Sequence, residues 1–170
     1  SKEAVALKPP RTTYHVYCSP FNPGAAALMQ ELSVERGCTL RLDAPPRQAA
    51  ASTGSRRLGP SRAVTEDLHV TALAGEMPNA DHMLLYLTSR TWTRGAKSEQ
   101  LAAEVTRAMD AGVHLLLAHE MPGLGGQTER AACEFSTFFS CPDGATPERL
   151  LKRGVYAEVA VPLKGGAWRW

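Results

Sequence analysis

Apolar positions in the first third of the chain follow a strand, helix, strand order. Residues 14–18 form a β-rich run that stops at Ser19-Pro20 and predict a first strand. A helix is predicted next, because apolar residues recur at helical spacing between a cap at Asn22 and a stop at Gly37. Its stripe consists of Ala25, Leu28, Met29 and Leu32. Residues 39–43 then predict a second strand, parallel to the first because a helical crossover joins them.

The most apolar segment, residues 82–88, predicts the central strand, because continuous apolar runs are typical of strands buried on both faces of a parallel sheet. Ser98 is predicted to cap a following helix that ends at Gly112, and residues 113–118 predict another strand. Residues 64–74 carry mixed signals and are interpreted as a short helix. A last helix over residues 146–154 and a final strand over residues 156–163 complete the pattern.

This alternation predicts an α/β fold with a five-stranded, mainly parallel sheet and helices on both faces, of the flavodoxin-like kind. A chain of 170 residues can bury one full core and is too short for two ordinary domains. We therefore expect an N-terminal extension (1–13), a single domain (14–163) and a C-terminal tail (164–170). Residues 48–62 lack apolar periodicity and are expected to form a mobile, solvated loop.

The composition of the chain argues against nucleic-acid and membrane partners. The chain is 44% hydrophobic and 21% charged with a net charge of +2, which indicates no nucleic-acid partner. No apolar run is long enough to cross a membrane, so we expect no membrane contact. The cysteines, Cys18, Cys38, Cys133 and Cys141, form no Cys-x-x-Cys pair. Free thiols in the cytoplasm are the favoured interpretation, and two disulfides in a secreted chain are the alternative.

Candidate binding residues cluster where the predicted strands end, since ligands of open parallel sheets bind outside the carboxyl ends of the strands. They are Ser19, Phe21 in the loop after the first strand, Asp43, Ser89 and Trp92. The first loop leads into a helix N-terminus that could hold an anion, but an ordinary strand-to-helix turn is the favoured reading. Trp92 could stack on a base, although packing is the more usual role of tryptophan.

The remaining polar and aromatic clusters indicate neither a metal site nor a known catalytic motif. His119 and Glu120 end a strand with His114 nearby, but no third ligand follows at a metal-binding spacing, so no metal site is expected. Three phenylalanines, Phe135, Phe138 and Phe139, recur at helical spacing and are typical of a core or a docking face. The chain lacks a Gly-x-Ser-x-Gly elbow and the acidic residues of a phosphoacceptor receiver domain.

The order of these motifs resembles the Toll/interleukin-1-receptor (TIR) family. The resemblance rests on Tyr17-Cys18-Ser19 after the first strand, on Leu42-Asp43 after the second, and on the central strand through Ser89 and Trp92. Residues 103–108 (Ala-Glu-Val-Thr-Arg-Ala) resemble a family stretch on the next helix. The spacing Glu104, Ala108, Gly112 is also similar to nucleoside deoxyribosyltransferases and related N-glycosidases.

The resemblance implies a TIR-like fold and two functions. The leading hypothesis is a signalling or assembly module, one domain of a larger protein, that acts through protein partners or self-association. The alternative is an N-glycosidase that cleaves NAD or a nucleoside, with no cofactor, using Glu104 together with Trp92 and Ser19. Glu104 lies twelve residues after Trp92, which implies an insertion. A solvated glutamate on the helix surface is therefore the competing interpretation of Glu104.

Overall fold

The computed structural model describes residues 6–46, 66–123, 130–140 and 144–165. The loop predicted at 48–62 lies outside these ranges, as do residues 166–170 of the predicted tail. No described helix is long and apolar enough to cross a membrane.

A parallel sheet organises the molecule. Over the described residues its strands are β1 Tyr14–Cys18, β2 Thr39–Leu42, β3 Asp67–Thr71, β4 Ala80–Leu87, β5 His114–Glu120 and β6 Val161–Leu163. They are hydrogen-bonded in the order β2-β3-β1-β4-β5-β6, and each neighbouring pair is parallel. The α/β prediction is thus confirmed, with one more strand than expected. Without β3, the remaining strands have the flavodoxin-like order.

The helices are α1 Ala25–Arg36, α2 Ala96–Asp110, α3 Thr137–Ser140 and α4 Glu148–Lys152, with a 3₁₀ helix at Ala74–Asn79. Gly37 ends α1 in the left-handed conformation (φ 67°), as predicted. The predicted caps Asn22 and Ser98 are wrong, because α1 is preceded by Gly24 and α2 by Gly95, and neither start has a side-chain cap. Ser98 instead lies inside the first turn of α2 and donates to the Thr91 carbonyl at 3.0 Å.

The prediction of a helix over residues 64–74 is wrong. Strand β3 lies between β1 and β2 and pairs in parallel with both. Its side chains alternate, with Leu68 and Val70 buried in the core and His69 facing the other side against His15. The final strand is also shorter than predicted, because only Val161–Leu163 pairs with β5.

Each face of the sheet packs against a different helix. Alternate residues of β1 and β4, such as Val16 and Leu84, belong to one buried cluster with the α1 residues Leu28 and Met29. On the other face, the intervening β4 residues join the buried side of α2. The α1 residues in the first cluster are Ala25, Leu28 and Met29, and the α2 residues in the second are Leu101, Ala102, Val105 and Ala108. β1 and β4 therefore lie at the centre of the molecule.

Candidate functional site

The chain reverses its direction of travel across the sheet between β1 and β4. β1 leads through α1 to β2 at one edge, whereas β4 leads through α2 to β5 on the other side. At such a switch point the loops after the two strands diverge and leave a crevice at the carboxyl ends. Ser19 follows β1 at this point, and Thr88 follows β4.

Glu104 lies on α2 and faces this end of the sheet. Only 5% of its surface is exposed. The Tyr17 hydroxyl donates to one carboxylate oxygen, and the Ser19 hydroxyl donates to the other at 2.5 Å. Glu104 is thus not the solvated helix residue of the competing interpretation. A buried carboxylate is stable only when hydrogen bonds replace its lost water, and the two hydroxyls supply them.

Tyr17 is fully buried and belongs to the apolar cluster on the α2 face. Burial raises the pKa of its phenol, and the hydrogen bond to Glu104 and the charge of that carboxylate raise it further. The phenol therefore keeps its proton at neutral pH and remains a donor. Ser19 is oriented from the other side, because its Oγ accepts the Phe21 N–H at 3.1 Å. Both donors are fixed before any ligand arrives.

The loop after β1 is pinned to β4 by Asn22. This side chain is 3% exposed, donates to the Tyr86 carbonyl at 2.9 Å and accepts the Tyr86 N–H at 2.7 Å. The amide pairs with the β4 backbone as another strand residue would. Thr91 donates to the same carbonyl at 2.7 Å. The loop that carries Ser19 and Phe21 is therefore anchored at its centre.

The other predicted site residues are held in different ways. Asp43 accepts hydrogen bonds from the Thr71 hydroxyl (2.8 Å) and the Ala72 N–H (2.9 Å), so it joins the ends of β2 and β3. The Ser89 N–H donates to the Ala131 carbonyl at 2.8 Å. Neither group hydrogen-bonds to Glu104.

Trp92 is buried, and its indole N–H donates to the Tyr156 hydroxyl at 3.0 Å. It belongs to the apolar cluster on the α2 face, which corresponds to the packing role. Phe21 is partly buried against the same cluster. The site that the structure assembles therefore consists of Glu104 and Ser19, with Tyr17 added. Sequence reasoning placed Tyr17 in a strand but gave it no role.

His119 and Glu120 point to opposite faces of the sheet. The His119 Nε2–H donates to the Cys133 carbonyl (2.7 Å), and the imidazole contacts the rings of Phe135 and Phe138. Glu120 is fully buried on the α1 face and accepts from the Tyr86 hydroxyl at 2.5 Å. In the part of the chain that the structure describes, no group of three His, Cys, Asp or Glu side chains could hold a metal ion.

Comparisons with protein-family models, curated proteins and solved structures found no match for this chain. Membership of the TIR-like or deoxyribosyltransferase-like group stays a prediction that depends on the motifs described above.

Proposed function

We propose that the chain is an N-glycosidase that cleaves NAD or a related nucleoside or nucleotide, with Glu104 as its central carboxylate. The observation that supports this best is the buried Glu104 side chain held by the Tyr17 and Ser19 hydroxyls at the switch point of the sheet. A buried, oriented carboxylate at a ligand-binding edge is unusual for a purely structural helix residue.

The chemistry needs one well-placed negative charge. Cleavage breaks the bond between the ribose anomeric carbon and the base nitrogen, and the electron pair leaves with the base. Positive charge then develops on the ribose, and a nearby carboxylate stabilises it in the transition state. Water adds to the anomeric carbon and releases a proton. In NAD the pyridinium nitrogen is already cationic, so nicotinamide leaves as a neutral molecule without a general acid.

The two hydroxyl donors have different positions in the fold, which gives them different roles. Tyr17 belongs to the rigid centre of the sheet, whereas Ser19 lies on the loop just beyond β1. For a substrate to reach the carboxylate, the Ser19 hydroxyl would have to give up its hydrogen bond, whereas Tyr17 would keep its own. Tyr17 would then fix the carboxylate during the reaction.

Release of nicotinamide or free base from purified protein tests the proposal. The variant is Glu104→Gln, which keeps the side-chain size but removes the charge. We expect turnover to fall by at least about 100-fold, as when other preorganised electrostatic groups are removed. The matched control is Glu99→Gln on the same helix, because Glu99 is exposed and pairs with Arg149 at 3.0 Å. Its turnover should equal that of the unchanged protein.

The assay also separates the enzyme from the TIR-like assembly module that the resemblance implies. Absence of turnover with NAD and nucleosides, even when the protein is clustered on a surface, would contradict the enzyme and favour assembly through protein partners. We further propose a cytoplasmic location. Cys18 and Cys38 are free thiols, which is typical of a reducing compartment.

A further inference from the structure

A cavity of about 250 Å³ opens on the α1 face of the sheet, on the side opposite Glu104. It is lined by Gly24 and Glu31 from the region of the α1 start, by Tyr86, Thr88 and Arg90 at and just after the end of β4, and by Arg130. The volume fits a small polar group better than a whole dinucleotide. The cavity shares the carboxyl edge of the sheet with the Glu104 site.

The charged side chains of the cavity leave one cation uncompensated. Arg130 is occupied by Glu31, because its guanidinium contacts both carboxylate oxygens at 2.9 and 3.1 Å. Arg90 has no side-chain hydrogen bond or ion pair among the residues that the structure describes. Glu120 is not among the lining residues, and its carboxylate accepts the Tyr86 hydroxyl. Among the described residues that line the cavity, Arg90 is therefore the cation without a carboxylate partner.

Thr88 adds a buried donor. It is 4% exposed and lines the cavity. Its Oγ accepts the Arg90 N–H at 3.1 Å, and no acceptor for its hydroxyl proton is found within the described ranges. A buried hydroxyl normally donates its proton, so a ligand oxygen in the cavity would complete its bonding. The same hydrogen bond fixes the backbone of Arg90 beside the hydroxyl.

We propose that this cavity binds a phosphate group, held by the Thr88 hydroxyl and the Arg90 guanidinium. Arginine matches the geometry and charge of phosphate oxygens, and a hydroxyl donor satisfies another oxygen. The first turn of α1 carries no acidic residue, so its positive end adds potential of the same sign. If the proposed function holds, this phosphate belongs to the nucleotide being cleaved. Otherwise it belongs to a separate phosphate ester.

Calorimetric titration with inorganic phosphate and with ribose 5-phosphate tests the site in the full chain. Arg90→Ala should weaken binding about tenfold or more, because a charge-assisted hydrogen bond is lost. Arg94→Ala removes the same charge from a neighbouring exposed position that does not line the cavity, and its affinity should stay within about twofold. Glu31→Gln should bind phosphate more tightly than the unchanged protein, because Arg130 is released from its carboxylate.

Two results would overturn the site: no saturable binding up to about 10 mM phosphate, or equal losses in the Arg90 and Arg94 variants. Kinetics identify the source of the phosphate. If it belongs to the substrate, Arg90→Ala raises KM for a nucleoside 5′-monophosphate but not for the matching nucleoside. If it is a separate ligand, phosphate binds equally well in the presence of the nucleotide. The titration does not depend on catalysis, so Glu104→Gln should bind phosphate normally even if the proposed function fails.

Discussion

Tyr17 and Ser19 reach one carboxylate because they are two positions apart at the end of a strand. Side chains two residues apart in a strand lie on the same face, and this face is the one that α2 covers. Glu104 is 87 positions from Tyr17 along the chain. Its burial places a charge in the interior, and the two hydroxyls offset part of the cost of removing water from it.

At the residue scale, Tyr17→Phe should destabilise the protein through Glu104. The change keeps the buried ring and removes only the hydroxyl, so the loss reflects the hydrogen bond to a charged group, about 1.5–3 kcal/mol. In a Glu104→Gln background the same change should cost about 1 kcal/mol or less, because the acceptor is neutral. Urea unfolding of the four proteins measures this difference. Equal costs in both backgrounds would show that the hydroxyl and the carboxylate are not coupled.

Part of the site could be predicted at this scale. Ser19 is predicted from its position after the first strand and Glu104 from the family resemblance, and the structure brings them together. Tyr17 could have been added from the strand period alone, because it shares a face with Ser19. The role of Asn22 could not, because its partner is the backbone of Tyr86, 64 positions away. Its sequence neighbours indicate only a helix cap.

At the scale of elements, the start of α1 is fitted closely to β4. Gly24 has φ 81°, a conformation that favours glycine, and it lies against the Tyr86 ring. A Cβ at this position would come within 2.9 Å of the Tyr86 Cε1 atom. Gly37, at the other end of α1, has φ 67° but open space around it. A substitution at Gly37 therefore tests backbone strain alone, whereas one at Gly24 tests backbone strain together with a steric clash.

Gly24→Ala should therefore destabilise the protein more than Gly37→Ala. Both pay for the left-handed backbone, about 1–2 kcal/mol, but only Gly24→Ala also displaces the Tyr86 ring, which adds about 1–3 kcal/mol. Urea unfolding of both variants provides the comparison. Since Tyr86 lines the cavity, Gly24→Ala should also weaken phosphate binding, whereas Gly37→Ala should not. Equal destabilisation by the two changes would mean that the ring moves aside freely.

Most elements could be predicted because their patterns are local. The continuous apolar run of β4 and the stripe of α2 indicate strand and helix without reference to distant residues. The prediction for β3 is wrong because residues 67–71 contain few apolar side chains. The apolar residues just before and after β3 also fit the spacing of a helix. Its strand conformation is decided by pairing on both sides with β1 and β2, which local spacing does not encode.

At the scale of the whole molecule, each face of the sheet has a buried glutamate held by a tyrosine of a central strand. Tyr17 donates to Glu104 on the α2 face, and Tyr86 donates to Glu120 on the α1 face. Both pairs lie toward the carboxyl end of the sheet, where the chain leaves β1 and β4 in opposite directions. The fold thus places one polar site on each face of the sheet at its carboxyl edge. These are the proposed catalytic site on the α2 face and the proposed phosphate site on the α1 face.

Burial of protonated groups makes the stability of the molecule sensitive to alkaline pH. Burial raises the pKa of the Cys18 thiol to about 12 and that of the Tyr156 phenol to about 12, and the pKa of Tyr17 is also raised. In the unfolded chain a thiol has a pKa of about 8.5 and a phenol has a pKa of about 10. Between these unfolded and folded values, the unfolded chain has lost protons that the folded protein retains. Rising pH therefore favours unfolding.

We expect the free energy of unfolding to be constant through neutral pH and to fall above about pH 8.5. Each of these groups contributes a slope of at most about 1.4 kcal/mol per pH unit, first from the thiols of Cys18 and Cys38 and then, above about pH 10, from the tyrosines. Urea midpoints measured under reducing conditions from neutral pH to about pH 11 follow this decline. Cys18→Ala should reduce the earlier part of the slope, where the Cys38 thiol still contributes because burial also raises its pKa, and should leave the later part, since the tyrosines are unchanged. A midpoint that stays level through the ionisation range of free thiols and phenols would mean that these groups ionise as readily in the folded protein as in the unfolded chain.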